Sequence, residues 1–481
     1  MPRKAAFLAI FLMAIQWSVN GQQNSTLFFM QSTPQANFVN PAVRNECQWM
    51  LGLPVISSLH LEFGNPSFSV MQVLKKQPDN TFLFDGNEVM KGLGRTNYLN
   101  TEFHTNLFFL SFWRKDVFYT LSVNEKVDMF LTFPKDLFAI AWQGNTQFEG
   151  QHADLSRLGL FLNYRREYAF GIAKPLSENL IFGVRVKLLF GKLNTSFPRS
   201  NMDLYTAPNT NAFDLTFNNN WRLNTSLPID VQTNPNGTIQ STSFNGNVGS
   251  ILMNRTNVGL AFDLGFIKYR GEKVTVSGSI LDLGAIRWAN GYSFNQQGQY
   301  TYHGPIGDTI HEESYLNDLT RILKNEFGIT AVPKSYISFL IPTYYFGATY
   351  TLRDDLNAGA VISGKISRYR VTSGLTLSLN KNFNQKAAIS LSWSYLYKSF
   401  SNIGAGIKLG RSPIQFYAVS DNVLGLIKPL DTKNINLRFG LQLNFGCFKK
   451  ENNKNCGCAG MNQDEVKRVR EDKIRKKKRR M

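Results

Sequence analysis

The sequence is short of cysteine, histidine and charge for its length. Its 481 residues include 4 Cys and 5 His, and charged residues make up 18%, below the roughly 25% of an average soluble domain. None of the histidines stands in a metal-binding spacing such as H-E-x-x-H, and no distinctive serine-nucleophile motif is present. We therefore expect no catalytic residues, no cofactor-binding residues and no metal ligands, and the chain is not predicted to be an enzyme.

A long apolar run is also missing beyond the N-terminus. No later stretch reaches the roughly 18 apolar residues that a membrane-spanning helix needs. Residues 2–4 are a short basic start, residues 5–15 are apolar, and residues 18–21 are small and polar. This arrangement is typical of a secretory signal peptide, so we predict that residues 1–21 are removed after Gly21. An uncleaved membrane anchor is the alternative interpretation.

Apolar and polar residues alternate over many short stretches, and aromatic residues make up 13% of the chain. Alternation with a period of two predicts β-strands with two chemically different faces. About fourteen strands are predicted, at 66–74, 101–112, 116–131, 158–172, 180–192, 253–268, 273–290, 340–352, 356–368, 370–380, 387–397, 402–410, 413–420 and 434–446.

The connections between these strands alternate in length. Every second connection is short, whereas four of the others are long, at 75–100, 132–157, 193–252 and 291–339. Outer-membrane barrels have short periplasmic turns and longer outer loops. The sequence therefore predicts an all-β fold, a transmembrane antiparallel β-barrel over residues 63–448. It would lie in the lipid of the cell outer membrane with both termini periplasmic. A soluble secreted β-protein is the alternative. One loop, at 312–327, has apolar residues at helical spacing and is predicted to contain a short helix.

The C-terminal residues 449–481 are basic, with thirteen Lys and Arg against five Asp and Glu. A solvated tail, disordered or helical, is one interpretation. The other is a partner-binding tail that attaches to a periplasmic anionic polymer, lipid head group or acidic protein. The signal peptide argues against nucleic acid as the partner. The basic residues concerned are Lys467, Arg468, Arg470, Arg475, Lys476, Lys477, Lys478, Arg479 and Arg480.

The four cysteines are Cys47, Cys447, Cys456 and Cys458. The Cys-Gly-Cys pair in the tail has two of the four ligands of a complete zinc site, and no convincing second pair exists. In an oxidising periplasm, disulfide formation is the better interpretation. The pairing cannot be deduced from the spacing and stays open.

Several short motifs, taken in their order along the chain, resemble a Bacteroidota outer-membrane family of uncharacterised function. That family is distantly similar to long-chain fatty-acid transporter (FadL-like) barrels and to the PorV-type barrel of type IX secretion. The resemblance implies fourteen strands and an N-terminal plug, which would comprise residues 22–62. The residues that carry it, and that we predict to be structural, are Asn40, Pro41, Ala42, Gly144, Asn145, Asp282, Gly284, Trp288, Asp421 and Asn422.

Two functions follow from the resemblance. The first is a non-enzymatic conduit for a small solute, for which the fatty-acid transporters imply a hydrophobic compound. The second is a scaffold or docking barrel of a surface secretion or attachment system. The long outer loops and the basic tail favour the scaffold, and the predicted plug favours the conduit.

Overall fold

The computed structural model describes residues 24–208, 214–303, 328–367, 371–383, 386–396 and 399–447. The predicted signal peptide, the predicted loop helix at 312–327 and the basic tail with all of its predicted partner-binding residues lie outside these ranges. The wall consists of β1 (Cys47–Gly52 and Val55–Gly64), β2 (Thr96–Arg114), β3 (Val117–Pro134), β4 (Gly159–Ser177), β5 (Leu180–Thr206), β6 (Asn257–Arg270), β7 (Val274–Trp288), β8 (Thr343–Arg353), β9 (Leu356–Ile366), β10 (Val371–Phe383), β11 (Ala387–Leu396), β12 (Ser399–Gly410), β13 (Ile414–Ser420) and β14 (Asn434–Cys447).

The wall is a closed antiparallel barrel because the first strand pairs with the last. On β1, His60 lies opposite Arg438 of β14 on one side and opposite His104 of β2 on the other. A disulfide between Cys47 and Cys447 joins the same two strands. This disulfide answers the pairing question for the two cysteines that lie in the described part of the chain. The predicted fourteen-stranded barrel is confirmed.

The start of the barrel differs from the prediction. The expected strand at 66–74 is wrong, because Val70–Val73 is helical. The first wall strand instead lies within 47–64, most of which was assigned to the plug. The apolar–polar alternation of this strand is broken between Gly52 and Val55 and again by register shifts up to Leu59. The sequence therefore shows no continuous period of two there. Within the described ranges, only residues 24–43, which we call the N-terminal segment, lie inside the wall without joining it.

Loop length alternates around the barrel as the sequence predicted. The short connections include residues 115–116, 178–179, 271–273 and 354–355, whereas the long ones include 65–95 and 207–256. The other described helices are α1 (Ser25–Phe29), α2 (Val70–Val73), α3 (Gly86–Gly92), α4 (Lys135–Gln143), α5 (Val248–Met253) and α6 (Val423–Ile427), with two 3-10 turns at Pro34–Phe38 and Thr146–Phe148. Further described strands outside the fourteen lie at Leu74–Lys76, Phe82–Phe84, His152–Asp154, Asp214–Thr225, Ile229–Thr233, Ile239–Phe244, Tyr292–His303, Thr330–Pro333 and Tyr336–Phe339.

The two faces of the wall have the opposite polarity to a water-soluble barrel. On β11, Ile389, Leu391 and Trp393 are exposed on the outside. The serines between them, such as Ser390 and Ser392, are buried inside. An apolar outer face and a polar interior are characteristic of outer-membrane barrels, whose outer surface contacts lipid. Among the described residues, no helix has the length and apolar character needed to cross a membrane.

The N-terminal segment runs inside the barrel from Asn24 to the end of the wall with the short turns. There the Arg44 guanidinium lies 5.1 Å from the ring centre of Trp113, close to the β2–β3 turn. The apolar side chains of the N-terminal segment form the main buried cluster together with inward-facing residues of the wall. The cluster comprises Leu27, Phe28, Phe29, Met30, Ala36, Val39, Ala42, Val43, Ile181, Ile267, Leu281, Tyr345, Val361, Tyr417 and Val419.

Candidate functional site

Asp421 fixes the beginning of the N-terminal segment. Its carboxylate accepts hydrogen bonds from the backbone N–H groups of Asn24, of Ser25 at 3.2 Å and of Thr26 at 2.7 Å, which form the first turn of α1. Asn436 of β14 donates to the same carboxylate at 3.0 Å. A negative charge at the free N–H groups of a helix start is stabilising. The signature residue Asp421 therefore joins the segment to the barrel wall.

The Asn40-Pro41-Ala42 motif fits against two glycines of the wall. Gly183 on β5 and Gly265 on β6 are register partners. A methyl group at Gly183 would overlap the backbone of Pro41 and Ala42, and one at Gly265 would overlap Oδ1 of Asn40. Asn40 also donates from Nδ2 to the Phe266 carbonyl at 3.2 Å. The motif thus occupies a recess in the wall that exists because both strands have glycine there.

Further hydrogen bonds hold the middle of the segment to the wall. Arg185 donates from Nη2 to the Asn37 carbonyl at 2.7 Å. Ser279 donates to the Val39 carbonyl at 2.6 Å. Gln35 donates to the Ser57 carbonyl at 3.1 Å. The segment is therefore attached along its whole length and not only at its two ends.

A cavity of about 100 Å³ lies beside the segment in the barrel interior. By the same measure one water needs about 10–15 Å³, so the cavity has room for several waters but not for a drug-sized solute. Most of its lining side chains are polar or charged. They include Asn24, Glu102, His104, Lys126, Asp128, Glu167, Arg185, Lys187, Asp282, Lys365 and Arg438, with Phe38, Val39, Phe130, Leu281 and Ile341 at the apolar edge.

The charges of this chamber are paired both within a strand and between strands. Lys187 on β5 contacts Asp263 at 2.7 Å and Asp282 at 2.6 Å. Arg165 on β4 contacts Glu167 at 2.8 Å, and its guanidinium also binds Asp128. The signature residue Asp282 has a left-handed backbone conformation with φ of 58°, at an irregularity in the β6–β7 register. This irregularity places its carboxylate among the cations of the chamber.

One group of described residues has the composition of a metal site. His60, Glu102 and His104 each present a ligand atom, and the three atoms lie within 4.8 Å of one another. The sequence did not reveal this group because His60 lies more than forty positions before Glu102 and His104. The signal that could have found it is the pair His60-x-Glu62 and Glu102-x-His104, in which all four side chains share the inward face.

The signature residues Gly284 and Trp288 are structural. Trp288 is fully buried and donates from Nε1 to the Ser338 hydroxyl at 2.8 Å. Its ring lies where a methyl group at Gly191 would be, at 2.5 Å. Gly284 lies opposite Ala261, and a side chain there would overlap the Leu260 carbonyl. Neither residue contacts the chamber cavity.

The other signature residues shape the outer loops. Gly144 ends α4 with a φ of 79°, and Asn145 follows it at the start of the turn Thr146–Phe148. Asn422 starts α6, where its side chain accepts from the Gly425 N–H at 3.0 Å and donates to the Asn434 carbonyl at 3.0 Å.

In the loop before β2, Asp85 starts α3, and its hydrogen bond from Lys75 holds the pKa of the carboxyl below its ordinary value.

The comparisons with known proteins give a family and several distant structures. The sequence profile of a family described as "Family of unknown function (DUF5723)" matches residues 41–421. No curated protein matches the chain.

Three of the solved structures that are similar to this chain come from bacteria. One is a Pseudomonas aeruginosa FadL homologue, with 11% identity, 87% of this chain and 95% of that chain covered, and a TM-score of 0.39. Another is the Pseudomonas putida toluene transporter TodX, with 10% identity, 89% and 99% coverage, and a TM-score of 0.32. The third is the translocator domain of the autotransporter NalP from Neisseria meningitidis, with 8% identity, 89% and 99% coverage, and a TM-score of 0.32. The barrel fold of this chain is established by its own strand pairing.

Proposed function

The chain belongs to DUF5723, a family of unknown function, and we propose that its barrel is a non-enzymatic conduit for a small solute, with the N-terminal segment as its plug. The observation that supports this function is a polar chamber beside a segment that is bound to the wall but is not part of it. The closed wall needs no internal segment to satisfy its backbone, because all of its ladder bonds are made between strands. A segment placed inside it therefore controls what passes through.

The lining of the chamber favours a small polar solute over a hydrophobic one. Charged pairs such as Lys187 with Asp282 and Arg165 with Glu167 surround the cavity. An apolar compound moving past these charged side chains would displace the water bound to them and offer no hydrogen bonds in return, which is costly. A polar solute can replace the lost hydrogen bonds with its own. A hydrophobic solute, implied by the fatty-acid transporter resemblance, stays a prediction of that resemblance.

Complete release of the plug is too costly for a passive opening. Each hydrogen bond between the segment and the wall contributes about 1 kcal/mol, so the set described above contributes several kcal/mol before the burial of Leu27 and Phe28 is added. A factor of ten in population corresponds to about 1.4 kcal/mol, so the fully released form is very rare. We propose that opening is local. Only the first turn, Asn24–Thr26, which lies next to the cavity, would move.

A reversible cross-link tests this proposal. The hydroxyl oxygens of Ser25 in the plug and Ser363 on β9 are 2.9 Å apart, so Ser25→Cys/Ser363→Cys places two thiols within disulfide reach. In liposome-swelling assays with arabinose and L-serine, the oxidised double variant should lose flux, and reduction should restore it. The two single variants and the wild type, each with and without reductant, are the controls for the native disulfide. Equal flux in the oxidised and reduced double variant would refute local opening.

The scaffold is the second candidate function, and the outer loops favour it. Several apolar side chains are exposed there, including Phe82 and Leu83 in the first loop and Phe244 and Val248 in the third. A docking barrel would show no flux for any solute and would co-purify with partner proteins, which it would lose when these loops are shortened. Measuring flux and co-purification on the same preparation distinguishes the two functions.

The cellular placement is likewise a proposal. An apolar outer face supports insertion in the cell outer membrane, where the short turns of such barrels face the periplasm. The described chain enters and leaves the wall on that side, at Cys47 and Cys447. The basic tail would then extend into the periplasm, where anionic polymers or an acidic protein are its proposed partners. Protease protection of an epitope added after Met481 in intact cells tests this orientation.

A further inference from the structure

Two histidines and two glutamates form a square on the inner face of β1 and β2. His60 lies opposite His104, and Glu62 lies opposite Glu102. Side chains on one face of neighbouring strands are about 4.5–5.5 Å apart at Cβ. The strand pairing therefore brings four side chains with metal-ligating atoms together at one position in the barrel wall.

We propose that His60, Glu102 and His104 bind a divalent transition-metal ion of the Zn²⁺ class. Nε2 of His60 is 4.0 Å from Oε2 of Glu102, and Nε2 of His104 is 3.8 Å from the same oxygen. Ligands held at about 2.0–2.2 Å from one ion are separated by roughly 3–4 Å. Two imidazoles and one carboxylate are a common ligand set for zinc and other transition metals, and they leave a position open.

The surroundings of the group fit this assignment. Asp128 is 2.7 Å from Nε2 of His104, the same nitrogen that faces Glu102. A metal ion bound at this nitrogen would displace the proton that Asp128 accepts, and the Asp128 carboxylate would then lie close enough to ligate the ion as well. Asn100 donates to Oε1 of Glu62 at 2.8 Å, which fixes the fourth corner of the square. Lys365 pairs with Oε1 of Glu102, and Oε2 is left facing the imidazoles.

His60 is fully buried, and protein contacts do not satisfy it completely. Its Nδ1 has no hydrogen-bond partner within the described part of the chain. Its Nε2 lies 3.4 Å from the Asn24 amide nitrogen and 3.5 Å from Oε2 of Glu62. A neutral imidazole has one lone pair, and these two long contacts do not fix it on either ring nitrogen, so Nε2 can present it to a metal. Glu102 and His104 line the chamber cavity, which gives an ion access. The site does not depend on the conduit function.

Metal binding is tested on the full-length protein folded in detergent, stripped with EDTA and dialysed against Zn²⁺, with bound metal measured by mass spectrometry. The Cys456→Ser/Cys458→Ser background removes the thiols of the tail as competing ligands. We expect about one Zn²⁺ per chain and a Kd weakened at least about 100-fold in His104→Gln and Glu102→Gln. His152→Gln is the matched control, because His152 is an exposed outer-loop histidine that pairs with Asp203 at 2.6 Å.

X-ray absorption of the zinc-loaded Cys-to-Ser protein provides a readout that needs no variant of the site. Two imidazole ligands and oxygen neighbours are expected. Zinc that does not bind, that binds with one or no imidazole, or that binds equally well to a folded His104→Gln protein would overturn the proposal. Folding of each variant is checked by heat-dependent migration on gels. The flux assays of the conduit are unaffected by these outcomes, so the two proposals fail separately.

Discussion

Replacing Gly265 by alanine should loosen the N-terminal segment without damaging the wall. Gly265 has ordinary strand geometry on β6, so alanine is compatible with its backbone. The added methyl group would overlap Oδ1 of Asn40 and lie 2.8 Å from Cδ of Pro41. At contacts below 3.0 Å one of the two parts must move. We expect the N-terminal segment to move, since the wall is fixed by its ladder of hydrogen bonds.

Such overpacking typically costs about 1–3 kcal/mol. If this cost falls on the form in which residues 40–42 occupy the recess, the population of the form outside the recess rises roughly 5-fold to 150-fold. Hydrogen–deuterium exchange of the amides in 36–43 reports on that population, because the hydrogen bonds within the segment that protect Ala36, Val39, Asn40 and Val43 are expected to open when the segment leaves its recess. The strand amides of β5 and β6 should retain their wild-type protection.

Two comparisons make the Gly265 result interpretable. Gly249→Ala is the matched control, since the nearest atom to a methyl group there, in an outer-loop helix, is Oδ1 of Asn247 at 3.4 Å. Asn40→Ala in the Gly265→Ala background removes the overlapping oxygen, so the double variant should be less destabilised than the sum of the single variants. If Gly265→Ala changed the amide exchange in 36–43 no more than Gly249→Ala does, the recess would not hold the N-terminal segment.

Three further predictions concern other parts of the barrel. Asp421→Asn removes the charge that binds the first turn of α1, so the amides of Ser25 and Thr26 should exchange at least about ten times faster; unchanged exchange would refute this role. Trp288→Ala should lower the free energy of unfolding in urea by about 3–5 kcal/mol, and a loss below 1 kcal/mol would show that the packing collapses around it. Leu391→Arg should cost about 2–4 kcal/mol in lipid vesicles, whereas Val248→Arg in an outer loop should cost nearly nothing; equal costs would contradict the lipid-facing assignment of β11.

The strand content and loop alternation could be predicted because they are local patterns. The stretch 387–397 alternates apolar and polar residues, and β11 spans Ala387–Leu396 with that alternation divided between the two faces. The first strand escaped prediction because its two halves are offset around Leu53 and Pro54, which breaks the period of two. Helix α4 was also missed, because its nine residues lie in a region read as loop.

The candidate site was less accessible from the sequence than the wall. The motif residues Asn40 and Asp421 were recognised, but their role depends on Gly183, Gly265 and the first turn of α1, which are distant in the chain. The chamber charges were visible only as inward positions in apolar strands, such as Arg185 and Lys187 within 180–188. Which of these meet depends on barrel closure and register, and no local pattern encodes those.

The charged chamber and the recess of the N-terminal segment are two regions of the barrel interior in which different interactions dominate. The N-terminal segment is held by hydrogen bonds with the wall, by the carboxylate of Asp421 and by apolar packing, all of which stabilise one defined position. The chamber pairs, such as Lys187 with Asp282, add little to stability, because burying an ion pair costs about as much as its attraction returns. The wall does not require them either, since its strands are held by their ladders. Chamber charges that do not bind the N-terminal segment, such as Lys187 and Asp282, are available to contact a molecule that enters the cavity. On the proposed conduit function, the solute preference should therefore depend on them.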